Sequence, residues 1–138
     1  MSTTLGTMTV TMTMTRVRIG SKYPSGSNRK GLSVAMLSDA QKALVKAAIV
    51  AWVGDYAPSV ADALLSQYTS NEAYADTLLA WAGTQSAGVD VDVEGTYARI
   101  DGPRVWIELV CQAAINFPGQ THFHAMFRDK MSDYGGSL

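Results

Sequence analysis

One cysteine, Cys111, and two histidines, His122 and His124, are all that this chain of 138 residues offers in thiol and imidazole chemistry. A single cysteine excludes an internal disulfide framework, so stability must rest on an apolar core. No apolar run approaches the roughly 20 residues that a membrane-spanning helix needs. The first residues lack the basic and apolar regions of a secretory signal, which leaves a cytoplasmic location as the default. Neither sign of charge is in surplus: 11 Lys and Arg against 12 Asp and Glu give a net charge of −1. That balance makes no electrostatic case for nucleic acid or an anionic membrane. A nucleophilic serine in a Gly-x-Ser-x-Gly context and a glycine-rich phosphate loop are both missing. The run Asp90, Asp92, Glu94 lacks the residue order of a calcium loop and reads as a solvated face.

The histidines stand together in Thr121-His122-Phe123-His124-Ala125-Met126-Phe127-Arg128-Asp129, a run that alternates like a strand. At period two, His122, His124, Met126 and Arg128 share one face, while Phe123, Ala125 and Phe127 share the other, which is the expected core face. Two imidazoles on one strand are about 6.6 Å apart along it and can lean together to chelate a cation at metal–nitrogen distances near 2.1 Å. A transition metal needs at least a third ligand. Glu108 is the first candidate, because it belongs to the polar face of a neighbouring predicted strand; Gln112, Asp129 and Asp133 are weaker. Two histidines and a carboxylate suit zinc, copper or iron. The bland alternative is a pair of ordinary hydrogen-bonded strand histidines. Arg128 reads either as an anion-orienting group or as half of a surface ion pair with Asp129. Cys111 falls on the apolar parity of its strand and reads as a buried thiol rather than a nucleophile.

The rest of the chain organises around these residues. From Thr7 to Thr15 every odd position is Thr, with Met8, Val10, Met12 and Met14 between, so residues 1–20 form either a half-buried strand or a tail. Residues 21–138 read as one domain, opened by a loop through Tyr23-Pro24-Ser25-Gly26. Ser38 with Gln41 makes a capping box ahead of a helix to Gly54, a C-terminal stop, with Leu44, Val45, Ala48, Ile49 and Trp52 as its buried stripe. Pro58 starts a second helix to Tyr68, with Val60, Ala61, Leu64, Leu65 and Tyr68 inward. Trp52 and Tyr68 read as core. Residues 77–82 fit a strand or the end of a third short helix, and 87–95 an exposed strand or acidic loop. Two β-rich runs, 96–100 and 104–111, meet across Asp101-Gly102-Pro103 as a hairpin. Val105, Ile107, Leu109 and Cys111 share one face of its second arm; Trp106, Glu108, Val110 and Gln112 share the other. The fold class is therefore α+β: two or three helices packed on an antiparallel sheet.

Taken in order, Ser38-Asp39-Ala40-Gln41-Lys42-Ala43-Leu44, Trp52-Val53-Gly54-Asp55, Ala80-Trp81-Ala82-Gly83, the run from Arg99 to Glu108, Thr121-His122-Phe123-His124, Phe127-Arg128-Asp129 and Asp133-Tyr134-Gly135 resemble the domain-of-unknown-function family DUF3500. The resemblance spans roughly Lys22 to the C-terminus. It implies relatives more than twice as long, many of them exported, whose N-terminal half carries a second histidine pair in a Gly-His-His context. On that comparison this chain resembles the C-terminal portion of such a protein, with residues 1–20 in place of what should precede it. The sheet should then present an uncovered edge or face, with homo-oligomers as one consequence and coverage by residues 7–15 as the other. The family implies no assigned activity.

Two functions fit these residues. One is a non-enzymatic or incomplete binding or structural domain with a His-x-His polar face, in which Arg128, Gln112 and Asp133 contact the ligand. The other is a metal-dependent hydrolase or oxidoreductase that holds its cation on His122, His124 and Glu108.

Overall fold

The computed structural model describes residues 23–83 and 92–133. The expected strand or tail at 1–20 and the first part of the acidic segment at 87–95 lie outside these residues. Among the described residues the elements run β1 (Leu32–Ser33), α1 (Asp39–Val53), α2 (Pro58–Tyr68), α3 (Asn71–Ala75), β2 (Leu78–Ala82), β3 (Tyr97–Asp101), β4 (Val105–Ala113) and β5 (Thr121–Asp129). The strands form one antiparallel sheet in the order β1-β2-β3-β4-β5. This is the α+β architecture that the sequence predicts.

Local chemistry sets the helices. Ser38 accepts a bond from the Gln41 N–H, and the Gln41 side chain accepts from the Ser38 N–H, so two otherwise orphaned donors are satisfied. Gly54 does stand at the end of α1, but in a right-handed conformation. It is favoured by space rather than by backbone freedom, since a Cβ there would lie 2.8 Å from the Val50 carbonyl oxygen. Pro58 opens α2 as predicted. Of the two alternatives for 77–82 the strand is the one that forms, as β2, and the short helix α3, capped by Ser70, ends before it at Ala75.

Helices α1 and α2 pack on one face of the sheet. The core unites Val45, Ile49 and Val53 of α1 and Tyr68 of α2 with Ile100, Val105 and Ile107 of the sheet, and Trp52 and Phe127 pack against it. The buried stripe of α1 is rotated from the expected one: Leu44 is 71% exposed, while Val53 is fully buried. In α2, Val60 points outward and Ala61 and Tyr68 point inward. Periodicity alone gives a broad apolar arc, and the position of the sheet selects which part of it is buried.

The β3–β4 hairpin pairs Tyr97 with Val110, Arg99 with Glu108 and Asp101 with Trp106. Asp101 proves to be the last residue of β3, with a fully buried side chain, so the turn itself is Gly102-Pro103-Arg104. Strand β4 has the two faces that its alternation predicts, and Cys111 is buried on the core side. The core face of β5 is less uniform than its pattern. Phe127 lies between Trp52 and Tyr68, with ring centroids 6.1 and 6.3 Å away, whereas Phe123 is 46% exposed. Helix coverage stops before the Phe123 end of the strand. Among the described residues no helix is long and apolar enough to cross a membrane.

Candidate functional site

The register of β4 with β5 places His122 opposite Gln112, His124 opposite Val110, Met126 opposite Glu108 and Arg128 opposite Trp106. Directly opposed residues of an antiparallel pair project to the same side. All eight therefore lie on the face away from α1 and α2. Asp129 has the other parity and projects to the helix side, so it cannot serve the same site as the histidines.

The two imidazoles meet. Nε2 of His122 lies 2.7 Å from Nε2 of His124, with ring centroids 4.7 Å apart and the rings edge to face. One Nε2–H donates to the other ring, which fixes complementary tautomers for the pair. His124 is exposed and His122 is half-buried. Nδ1 of His122 is buried and has no hydrogen-bond partner among the described residues.

The other predicted site residues are distributed around this pair. Glu108 shares its face, but its carboxylate accepts a hydrogen bond from the Tyr97 hydroxyl on β3, on the side away from β5. Burial first, and this carboxylate second, raise the Tyr97 hydroxyl above its ordinary pKa, so it is a firm donor. Gln112 is exposed beside His122. Arg128 does not pair with its neighbour Asp129, because adjacent strand residues project to opposite faces. Its guanidinium lies 3.8 Å from Asp133. Among the described residues, no group of three or more His, Cys, Asp and Glu side chains gathers in metal-binding geometry.

Sequence reasoning missed the polar layer that supports the site. Arg99, buried on the same face, donates to the Lys30 carbonyl at 2.6 Å and to the Tyr97 hydroxyl at 3.5 Å, and lies 5.1 Å over the Trp106 ring. Lys130 covers Trp106 and Tyr23 and bonds Asp101, which Arg29 also contacts. Burial lowers the Lys130 pKa, with Asp101 opposing the shift. Arg29 also pairs with Asp76, and this charged group walls a shallow cleft of ≈ 340 Å³ lined in part by Tyr23, Gly102 and Pro103. The hairpin pattern contained a signal for part of this layer, since pairing 96–100 with 104–111 sets Arg99 beside Glu108. The contacts of Arg29 and Lys130, from distant parts of the chain, carried no such signal.

The family described as protein of unknown function (DUF3500) matches the chain over residues 4–136. The match begins well before Lys22, so it takes in most of the Thr/Met-rich segment. No curated protein and no solved structure matches the chain.

Proposed function

The chain belongs to the DUF3500 family, and from the geometry of its sheet we propose that it is a binding domain whose ligand is a borderline transition-metal cation held by His122 and His124. The observation that carries this reading is the 2.7 Å approach of the two Nε2 atoms. In water two neutral imidazoles gain little by donating to each other, since each is well solvated alone. The same arrangement brings two ring nitrogens to one point, and both become ligands once the donor ring carries its proton on Nδ1 instead of Nε2. Two nitrogens bound at about 2.1 Å in a tetrahedral site are about 3.4 Å apart, so the rings need to spread by only several tenths of an ångström. Imidazole suits zinc, copper, nickel and iron alike. His124 is open to solvent, which gives the cation an entry path.

The role is binding rather than chemistry in this reading, because Glu108 is engaged by Tyr97 and two imidazoles leave the coordination unfinished. A second reading, a metal-dependent hydrolase or oxidoreductase, draws support from Glu108 lying on the same face. It requires Glu108 to exchange Tyr97 for the cation.

Calorimetric titration of tag-free protein with Zn²⁺, and the visible spectrum with Co²⁺, test the proposal. Uptake should be saturable and should disappear in His122→Ala and His124→Ala, while Glu108→Gln keeps it. Unchanged affinity in the double histidine variant would end the metal reading; loss of uptake in Glu108→Gln would favour the three-ligand site of the enzyme reading.

A further inference from the structure

We infer that two copies of this chain join edge to edge through β5, with the two-fold axis at Phe123, so that four imidazoles surround one cation. The inference rests on the metal-binding reading of His122 and His124 and supplies the ligands that one chain lacks.

The hydrogen-bond parity of β5 gives the first argument. The Lys130 N–H donates to the Arg104 carbonyl at 2.7 Å, and the Ala114 N–H donates to the Gln120 carbonyl at 2.9 Å. These bonds flank the β4–β5 ladder at its two ends. Hydrogen-bonded and non-hydrogen-bonded pairs alternate along an antiparallel ladder. The even-numbered residues of β5 therefore turn their backbone groups toward β4, and Thr121, Phe123 and Ala125 turn theirs to the outer edge. Among the described residues no strand pairs with that edge. Thr121, Phe123, His124 and Ala125 are all exposed. An edge of this kind is a ready template for another strand.

Symmetry then selects the register. In a two-fold antiparallel pair centred on Phe123, His122 of each copy stands opposite His124 of the other. Both pairs are of the non-hydrogen-bonded type, in which Cα atoms approach to about 4.5 Å and side chains are closest. Centring on His124 instead would set His122 opposite Met126, and centring on His122 would set His124 opposite Gln120. Only the Phe123 axis gives two rows of facing histidines. Thr121 would pair with Ala125 of the second copy, and the outward groups would form roughly six backbone bonds. On the helix side of the sheet each Phe123 ring, 46% exposed in the single chain, would meet its own copy. A four-imidazole shell is a complete tetrahedral or tetragonal site for zinc, nickel or copper.

Light scattering coupled to size-exclusion chromatography, run on the full tag-free chain with EDTA and then with Zn²⁺, reads the dimer. Calorimetry reads the stoichiometry. The expected result is a dimer that forms with Zn²⁺, reverts in EDTA and holds one cation per two chains. His122→Ala should remove both uptake and dimer. Phe123→Lys, a change at an exposed position that sets two like charges at the axis, should prevent the dimer, weaken binding at least about tenfold and keep the far-UV spectrum. One cation per monomeric chain would overturn the four-imidazole dimer and leave the histidine-pair reading standing, and so would a dimer indifferent to both Zn²⁺ and Phe123→Lys. Absence of any Zn²⁺ uptake would overturn both.

Discussion

Tyr68 and Asp129 show how much of this fold turns on single polar atoms. The Tyr68 hydroxyl is buried and donates to Asp129 at 2.7 Å, and Asp129 also receives bonds from Arg104 and from the Met131 and Ser132 N–H groups. Burial alone would raise the Asp129 pKa, but these donors hold it below its ordinary 3.8. Since the folded value is the lower one, the stabilisation is complete above the unfolded value and is lost as pH falls through the folded one. Asp129→Asn should therefore cost about 2 kcal/mol at neutral pH, less than a fully buried pair because Arg104 is partly exposed. The difference from the unaltered protein should shrink as pH drops below 3.8. Urea unfolding of both proteins at neutral and acidic pH checks this, and a constant gap would contradict it. Asp101 is the second such residue: its fully buried carboxylate joins Arg29 and Lys130, and Asp101→Ala should cost about 3 kcal/mol, chiefly by taking the carboxylate from Lys130 while Arg29 keeps Asp76.

Among the elements, β5 has two unlike ends. At one, Phe127 packs on Trp52 and Tyr68, binding the strand to the helices; at the other, Phe123 is open to solvent. Phe127→Ala should lose about 2–3 kcal/mol, less than the roughly 3–5 kcal/mol of a fully buried aromatic because Phe127 is half-buried. Phe123→Ala, measured with EDTA present, should stay within about 0.5 kcal/mol of the unaltered chain. Equal losses at the two positions would mean that the strand is anchored along its whole length. For α1 the capping box is the identifiable local support, and Ser38→Ala should cost about 1 kcal/mol in thermal or urea unfolding.

At the scale of the whole molecule the sheet divides two tasks between its faces. One face, with α1 and α2, holds the core; the other carries the histidine pair and the Tyr97, Glu108 and Arg99 layer. Exposed Ile115 and Phe117, in the loop before β5, lie at the same end as Phe123. A ligand that binds only the folded chain stabilises it by mass action, by about 2.7 kcal/mol at a hundred times its Kd. Saturating Zn²⁺ should accordingly raise Tm by several degrees. His122→Ala with His124→Ala should abolish that rise while leaving the metal-free Tm almost unchanged, because His124 is exposed and His122 only half-buried. A Tm that rises equally in the double variant would place the stabilising cation elsewhere.

The sequence by itself determined what depends on neighbours along the chain. The Ser38–Gln41 box, Pro58 at the start of α2 and the alternation of β4 and β5 act over a few residues, and each marks its element without reference to the rest of the fold. It also determined that His122 and His124 share a face, because a period of two leaves no other choice for strand residues two apart. Three things were decided only by tertiary structure. The rotation of α1, which exposes Leu44 and buries Val53, follows from where the sheet lies beneath an apolar arc broader than the contact. The partner of Glu108 is Tyr97 rather than a histidine, because Glu108 has a neighbour on each side and the phenol reaches it from β3. The charged cluster of Arg29, Asp76, Asp101 and Lys130 unites residues from four separate segments. Sequence spacing cannot encode such a meeting: buried charges need partners within a few ångströms, and only the folded chain brings these groups that close.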